Sequence, residues 1–272
     1  MGDAGAGLRR QLGLFPATNI VIGDMIGAGI FTTSGLLLLE LGDPVLMMAL
    51  WAGGGFLALC GALCYGVLGA AMPRAGGEYA YLSELFHPLL GFLTGWVSFF
   101  VGFSAPLAAS SLGFSEYLFS GIPSLGLLEN PELWKKVLAL CVVVGLASVH
   151  MRGLKAGSRV QNWLTLGKVG LILALIVAGF AFGEGSLDHF HSVPSQGSSG
   201  PSWQAIGLAL MWIMFAYSGW NASGYIGSEI RSPRRNLPLS LLLGTGVVLV
   251  LYLGLNAVFV YGVPEGQMEG VI

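Results

Sequence analysis

Charge is scarce in this chain. Only 10% of its 272 residues are Asp, Glu, Lys or Arg, where a water-soluble domain carries roughly 25%. A surface so poor in charge excludes a soluble globular fold. A basic excess is lacking too: 12 Lys and Arg face 14 Asp and Glu, for a formal net charge of −2. That excludes the electrostatic footprint of a nucleic-acid binder. Cysteine is rare, and Cys60, Cys64 and Cys141 all lie in apolar runs, so they read as free packing thiols without a disulfide framework. The phosphate loop, the G-x-S-x-G elbow and the H-E-x-x-H zinc helix are missing, and with them the common enzyme machinery. His189 and His191 form an H-x-H that no further ligand accompanies in spacing, so neither a metal nor a cofactor is assigned.

Apolar residues and glycine fill the space that charge leaves. Hydrophobic residues make up 54% of the chain and glycine occurs 43 times, against roughly 19 from average usage of about 7%. A helix crossing about 30 Å of hydrocarbon needs roughly 20 apolar residues. Seven stretches qualify: about 14–38, 45–70, 90–119, 134–151, 160–182, 203–228 and 238–262. The chain therefore reads as one all-α integral membrane domain over 1–272, with no enzymatic activity expected. The segment Pro73–Pro88, PRAGGEYAYLSELFHP, is short, charged and aromatic, which suits a piece lying along the interface. Gly183–Ser202 is rich in Gly, Ser and Pro and reads as a loop.

Orientation follows from the excess of Lys and Arg on cytoplasmic loops. If the spans alternate, Arg9, Arg10, Arg74, Arg152, Lys155, Arg159, Arg231, Arg234 and Arg235 share one side. The opposite side collects Glu40, Asp43, Glu129, Glu132, Glu184, Asp188, Glu265 and Glu269, with Lys135 and Lys136 as exceptions. A cytoplasmic N-terminus in a plasma or inner membrane is expected. Trp134, Trp163 and Trp203 near three span starts suit the headgroup region.

Two spans carry interruptions. The first contains Gly23-Asp24-Met25-Ile26-Gly27-Ala28-Gly29-Ile30-Phe31, and the sixth contains Met214-Phe215-Ala216-Tyr217-Ser218-Gly219-Trp220-Asn221. Small residues in a membrane helix serve either close packing or a break. A break at mid-membrane leaves N–H groups that an anionic ligand group would satisfy, and freed carbonyls that would accept from an ammonium. Interruptions at corresponding places, one span and five spans later, point to a transporter site built on repeated halves. A ligand with both charges is an amino acid.

Two ionisable residues lie within spans, where such groups are functional candidates. Lys168 is open to two readings: its ammonium snorkels toward the interface, or it ties the fifth helix to carbonyls of the broken first one. Asp24 has three: pairing with Lys168, contacting a substrate ammonium, or bonding to a neighbouring helix. Glu116 and Glu229 fall near helix ends.

Three motifs, GDMIGAGIF in the first span, PRAGGEYAYLSELFHPLLGFLTGW leading into the third and FAYSGWN in the sixth, resemble the amino acid–polyamine–organocation superfamily, in particular its bacterial and L-type amino acid permeases. The resemblance covers nearly the whole chain. It implies the LeuT-like inverted-repeat fold, with spans one to five as the first repeat, spans six and seven opening the second, and helices one and six broken. It further implies that N–H groups around Gly27, Ala28 and Gly29 hold a substrate carboxylate, and that carbonyls of Met25, Phe215 and Ser218, beside Ala216, hold its amine. Phe215 would act as an aromatic gate and Asn221 would order the unwound sixth helix. Lys168 matches a lysine that takes a sodium-site position in sodium-independent relatives. Ala28 replaces a serine often found there, and Asp24 stands where a neutral residue is common. The function implied is secondary active amino acid transport by alternating access, proton-coupled or by exchange with a second amino acid. Because the chain stops at Ile272 with the second repeat only begun, an N-terminal part of such a transporter is expected. Rival readings are a non-transporting membrane scaffold and a channel or enzyme subunit.

Overall fold

A chain in hydrocarbon has no water for its backbone polar groups, so it satisfies them inside helices. The computed structural model describes residues 10–183, 185–191 and 201–262, and among these it contains helices and turns with only two isolated β-bridges. Arg9, Glu184, Glu265, Glu269 and the side chain of His191 lie outside the described residues. The described chain is an all-α, multi-pass membrane fold. Five helices are long and apolar enough to cross a bilayer, and a sixth span forms if the bent pair in the first span counts as one. Two compact units divide the chain, Met1–Gly77 with Gln161–Ile272, and Glu78–Val160.

The first unit begins with α1 (Leu14–Met25) and α2 (Gly29–Leu41), which are bent by 41° at the intervening residues. Then comes α3 (Pro44–Ala71), whose first turn is capped by Asp43, the carboxylate accepting from the N–H groups of Val45 at 2.8 Å and Leu46 at 3.0 Å. Pro44 at the first helical position loses nothing by lacking an N–H there. Later in the chain this unit adds the part of α8 (Leu154–Phe182) from Gln161 onward, α9 (Trp203–Ala216) and α10 (Pro233–Gly262). At its centre Trp51 of α3, Tyr252 of α10 and Tyr217 just past α9 are fully buried. The Trp51 ring meets each tyrosine edge to face at a centroid distance of 5.6 Å, a geometry that adds about 0.5–1.5 kcal/mol per pair beyond area burial.

The second unit holds α4 (Glu78–Leu85), α5 (Pro88–Val97), α6 (Ala105–Gly121) and α7 (Pro131–Met151), with the first residues of α8. The third span is one run from Pro88 to Gly121 but not a uniform α-helix: Ser98–Ser104 is wound as a π-helix. The cause is Pro106, which cannot donate and whose ring crowds the carbonyl four residues back. Widening the preceding turn, with Ala105 N–H bonded to the Phe100 carbonyl, relieves that clash. Lys135 pairs with Glu116 at 2.8 Å and with Glu132 at 2.9 Å, so this exception to the charge asymmetry sits among acids that offset it. Phe92, Phe99 and Val101 are exposed, as faces turned to lipid are.

The observed boundaries depart from the expected ones in two places. The sixth span, expected over 203–228, is α-helical only to Ala216, about 21 Å of helix for a layer of about 30 Å. Beyond it the backbone turns at Gly219 (φ 98°) and continues as short 3₁₀ segments at Ala222–Tyr225 and Gly227–Glu229. The fifth helix starts at Leu154, directly after Gly153, because the polar stretch expected to be a loop is itself helical. Trp163 therefore lies about 14 Å into α8 instead of near its start. The cysteines are free as expected, but Cys64 and Cys141 are exposed and Cys60 is half-buried, so only Cys60 packs even in part.

Trp51→Ala is expected to lower stability by about 3–5 kcal/mol, the range for a buried large aromatic. Denaturant unfolding in micelles, followed by near-UV circular dichroism, measures it.

Candidate binding site at the two helix breaks

Helical hydrogen bonding in the first span ends where Ile26 N–H reaches the Ile22 carbonyl at 2.9 Å. It resumes with Phe31 and Thr32 N–H groups on the Ala28 carbonyl at 3.0 and 3.2 Å. Among the described residues, the N–H groups of Ala28 and Gly29 find no backbone acceptor. Two glycines within three positions make this interruption cheap. In the sixth span the last bonds are Tyr217 N–H to Ile213 at 2.9 Å and Ser218 N–H to Phe215 at 3.1 Å.

Gly219 is required where the chain leaves the helix. Its positive φ disfavours an L side chain, and a Cβ there would lie 2.8 Å from Asp24 Oδ2, 2.9 Å from the Asp24 carbonyl carbon and 3.0 Å from Met25 N. A second close approach joins the breaks. A Cβ on Gly29 would lie 3.2 Å from both Cα and Cβ of Ala216. The two interruptions, far apart in sequence, thus abut.

Side chains from other helices satisfy the freed carbonyls. Lys168 Nζ donates to the carbonyls of Gly23 at 3.0 Å and Ile26 at 2.8 Å, placing a cation at the negative end of α1. Bonded to these two carbonyls, the ammonium points at the break in α1 and does not take the snorkelling alternative. Thr165, one turn before it, donates to the Asn19 carbonyl at 3.2 Å, and Asn19 Nδ2 donates to Asn162 Oδ1 at 3.2 Å. The side chains of Gln161 and Thr165 fill the space beside Gly23. Positions 162, 165 and 168 therefore form a polar stripe along α8 that grips α1.

From α10 comes a donor that sequence reading did not single out. The buried Tyr252 hydroxyl donates to the Met25 carbonyl at 2.7 Å and is 3.2 Å from that of Ala216, so it faces both breaks at once. Asn256, one turn on, bonds the Tyr252 carbonyl through Nδ2 at 2.8 Å and accepts from Ser34 of α2 at 2.5 Å. The available signal was polar residues one turn apart inside an otherwise apolar helix.

The remaining candidates fall into two groups. Asp24, Gly27, Ala28 and Ser218 are exposed, and Phe215 presents 62% of its surface beside them. Met25 and Ala216 are buried, and each carbonyl already faces Tyr252. Asn221 lies past the break and donates to the Tyr225 hydroxyl at 3.1 Å. Asp24 and Lys168 form no ion pair within contact distance among the described residues, though their charges act on each other across the break. His189 Nδ1 is 2.9 Å from the Tyr261 carbonyl, and among the described residues no group of three metal-ligating side chains occurs.

A profile described as amino acid permease matches residues 12–272. The chain belongs to the amino acid permease family. This permease-family chain is 33% identical over 253 residues to the b(0,+)-type amino acid transporter 1 of Mus musculus, covering 93% of itself and 51% of that protein. It is 31% identical over 270 residues to the large neutral amino acids transporter small subunit 2 of Homo sapiens, covering 98% and 50%. It is also 31% identical over 256 residues to the Asc-type amino acid transporter 1 of Mus musculus, covering 93% and 48%. The chain thus spans about half the length of the curated relatives it matches. The family and these relatives are transporters, not enzymes.

Tyr252→Phe keeps the ring packing and removes the donor shared by the breaks. The expected loss is about 1–3 kcal/mol, the cost of an unsatisfied buried polar group, measured as a reduced unfolding free energy in micelles.

Proposed function

We propose that this chain forms the substrate-binding part of a secondary amino acid transporter that works by alternating access and does not use sodium. The observation carrying this reading is that the two helix breaks meet at Gly29 and Ala216, with the N–H groups of Ala28 and Gly29 lacking a backbone acceptor and the residues Gly27, Ala28, Phe215 and Ser218 exposed. The N–H groups of Gly27, Ala28 and Gly29 take the substrate carboxylate, helped by the positive end of α2. Carbonyls of Phe215 and Ser218 take the amine, each charge-assisted bond contributing about 1.5–3 kcal/mol, while that of Met25 is held by Tyr252. Phe215 closes over the ligand, and Asn221, through Tyr225, holds the turn that follows.

Lys168 supports the sodium-independent assignment. Its ammonium lies on the Gly23 and Ile26 carbonyls, where a bound cation would otherwise neutralise the end of α1. Coupling then falls to protons or to a counter-transported amino acid, with Lys168 and Asp24 as the ionisable groups at the break. The charge asymmetry supports a cytoplasmic N-terminus in a plasma or inner membrane.

The test is ligand-dependent stability. A panel of L-amino acids added to the purified chain is expected to contain at least one that raises unfolding stability, by about 2.7 kcal/mol at a hundred times Kd. Gly29→Leu should abolish the rise while circular dichroism stays helical, because its side chain enters the space held by Ala216. If no amino acid stabilises the wild-type chain, the reading fails. Uptake into liposomes should proceed equally in sodium and choline buffers and drop at least tenfold in Lys168→Ala, a loss of about 1.4 kcal/mol or more at the transition state. A strict sodium requirement would overturn the coupling assignment alone.

A further inference from the structure

Two cavities in the first unit lie away from the breaks and join at Arg234. One, of about 430 Å³, is an apolar groove whose lining includes Ala62, Leu63, Gly66, Val67 and Ala70 on one side of α3 and Pro238 of α10. The helices approach closely along its floor, where a Cβ on Gly66 would lie 3.2 Å from Pro238 Cα. Leu63 and Val67 on its wall are exposed. The other, of about 470 Å³, is lined by Arg10, Pro73, Ser232, Pro233, Arg234 and Arg235. It holds three guanidinium groups and no carboxylate, and Glu229, the nearest acid in sequence, is not part of the lining.

Arg10, Arg234 and Arg235 form no ion pair among the described residues. Arg234 and Arg235 belong to the first turn of α10, the positive end of a 30-residue helix, where cations are disfavoured and anions are held. Three like charges there repel one another unless an anion sits among them. Guanidinium forks suit phosphate oxygens. A soluble anion would use the basic pocket alone. The apolar groove opening from the same Arg234 gives a place for a hydrocarbon chain, and a membrane-proximal basic pocket between helices is a setting in which acidic headgroups bind.

We infer that this surface binds an anionic phospholipid of the surrounding bilayer, its phosphate on Arg10, Arg234 and Arg235 and one acyl chain along the groove between α3 and α10. The site is separate from the helix breaks and does not rest on the transport reading.

Native mass spectrometry of the purified chain, released from micelles doped equally with phosphatidylglycerol and phosphatidylcholine, tests the assignment. Phosphatidylglycerol should be retained in preference, and Arg234→Gln and Arg235→Gln should each lower the preference about fivefold. Val67→Trp, which fills the groove from an exposed position, should displace the lipid while leaving the arginines in place. Arg152→Gln, a basic residue outside the pocket, should leave retention unchanged. Equal retention of the two lipids would overturn the proposal. So would an equal loss in Arg152→Gln, which would make the effect one of general charge, or displacement of the lipid by glycerol phosphate at the same concentration, which would make the site one for a soluble anion.

Discussion

A helix that stops inside hydrocarbon must find new partners for every main-chain group it releases, and the rest of this structure depends on how that demand is met at Gly27 and Gly219. An unsatisfied backbone group at such depth costs several kcal/mol, so a break survives only where other elements supply donors. Lys168 of α8 supplies two of them to the end of α1, and Tyr252 of α10 supplies one that both breaks share. Those long helices are uninterrupted where they do so, which makes them supports for two elements that are not.

The satisfaction is one-sided. Carbonyls that face α8 and α10 are occupied, whereas the N–H groups of Ala28 and Gly29 have no backbone acceptor among the described residues and the residues around them are exposed. Complete satisfaction would have produced a rigid joint with nothing left to bind. The division leaves a positive helix end held ready at the break, which is the feature on which the proposed recognition of a zwitterion rests. The aromatic cluster of Trp51, Tyr217 and Tyr252 keeps that arrangement in place, since Tyr217 also donates to the Trp51 carbonyl at 3.1 Å and the ring positions bear on both breaks.

Much of this was readable from residue order. Apolar runs located most of the membrane helices, and clustered Gly and polar residues located both interruptions. Where reading failed, a local property was overridden. The polar residues 154–159 join α8 because they continue a helix already paid for by its apolar length. The third span keeps its direction but changes its winding at Pro106, a shift of one hydrogen bond that no hydrophobic pattern records. The sixth span is shorter than its hydropathy implied because Gly219 sends the chain beside Asp24, and residues 225–231 then bond to two distant segments: Gly76 N–H to Tyr225, Gln11 and Leu12 N–H to Glu229, and Arg231 N–H to Leu12.

Composition and pattern by themselves determined that this chain is an all-helical membrane protein with two weak points and a lysine inside an apolar span, because burial of apolar surface and the conformational freedom of glycine act through local sequence. Only the tertiary structure decided which partners those weak points acquired: Lys168 on α1 instead of at the interface, Asp24 beside Gly219 and not on Lys168, and Tyr252 across both breaks. Such choices depend on distances between residues far apart in the chain, and hydrogen bonds and charge pairs vanish within a few ångströms, so they follow from packing and not from order.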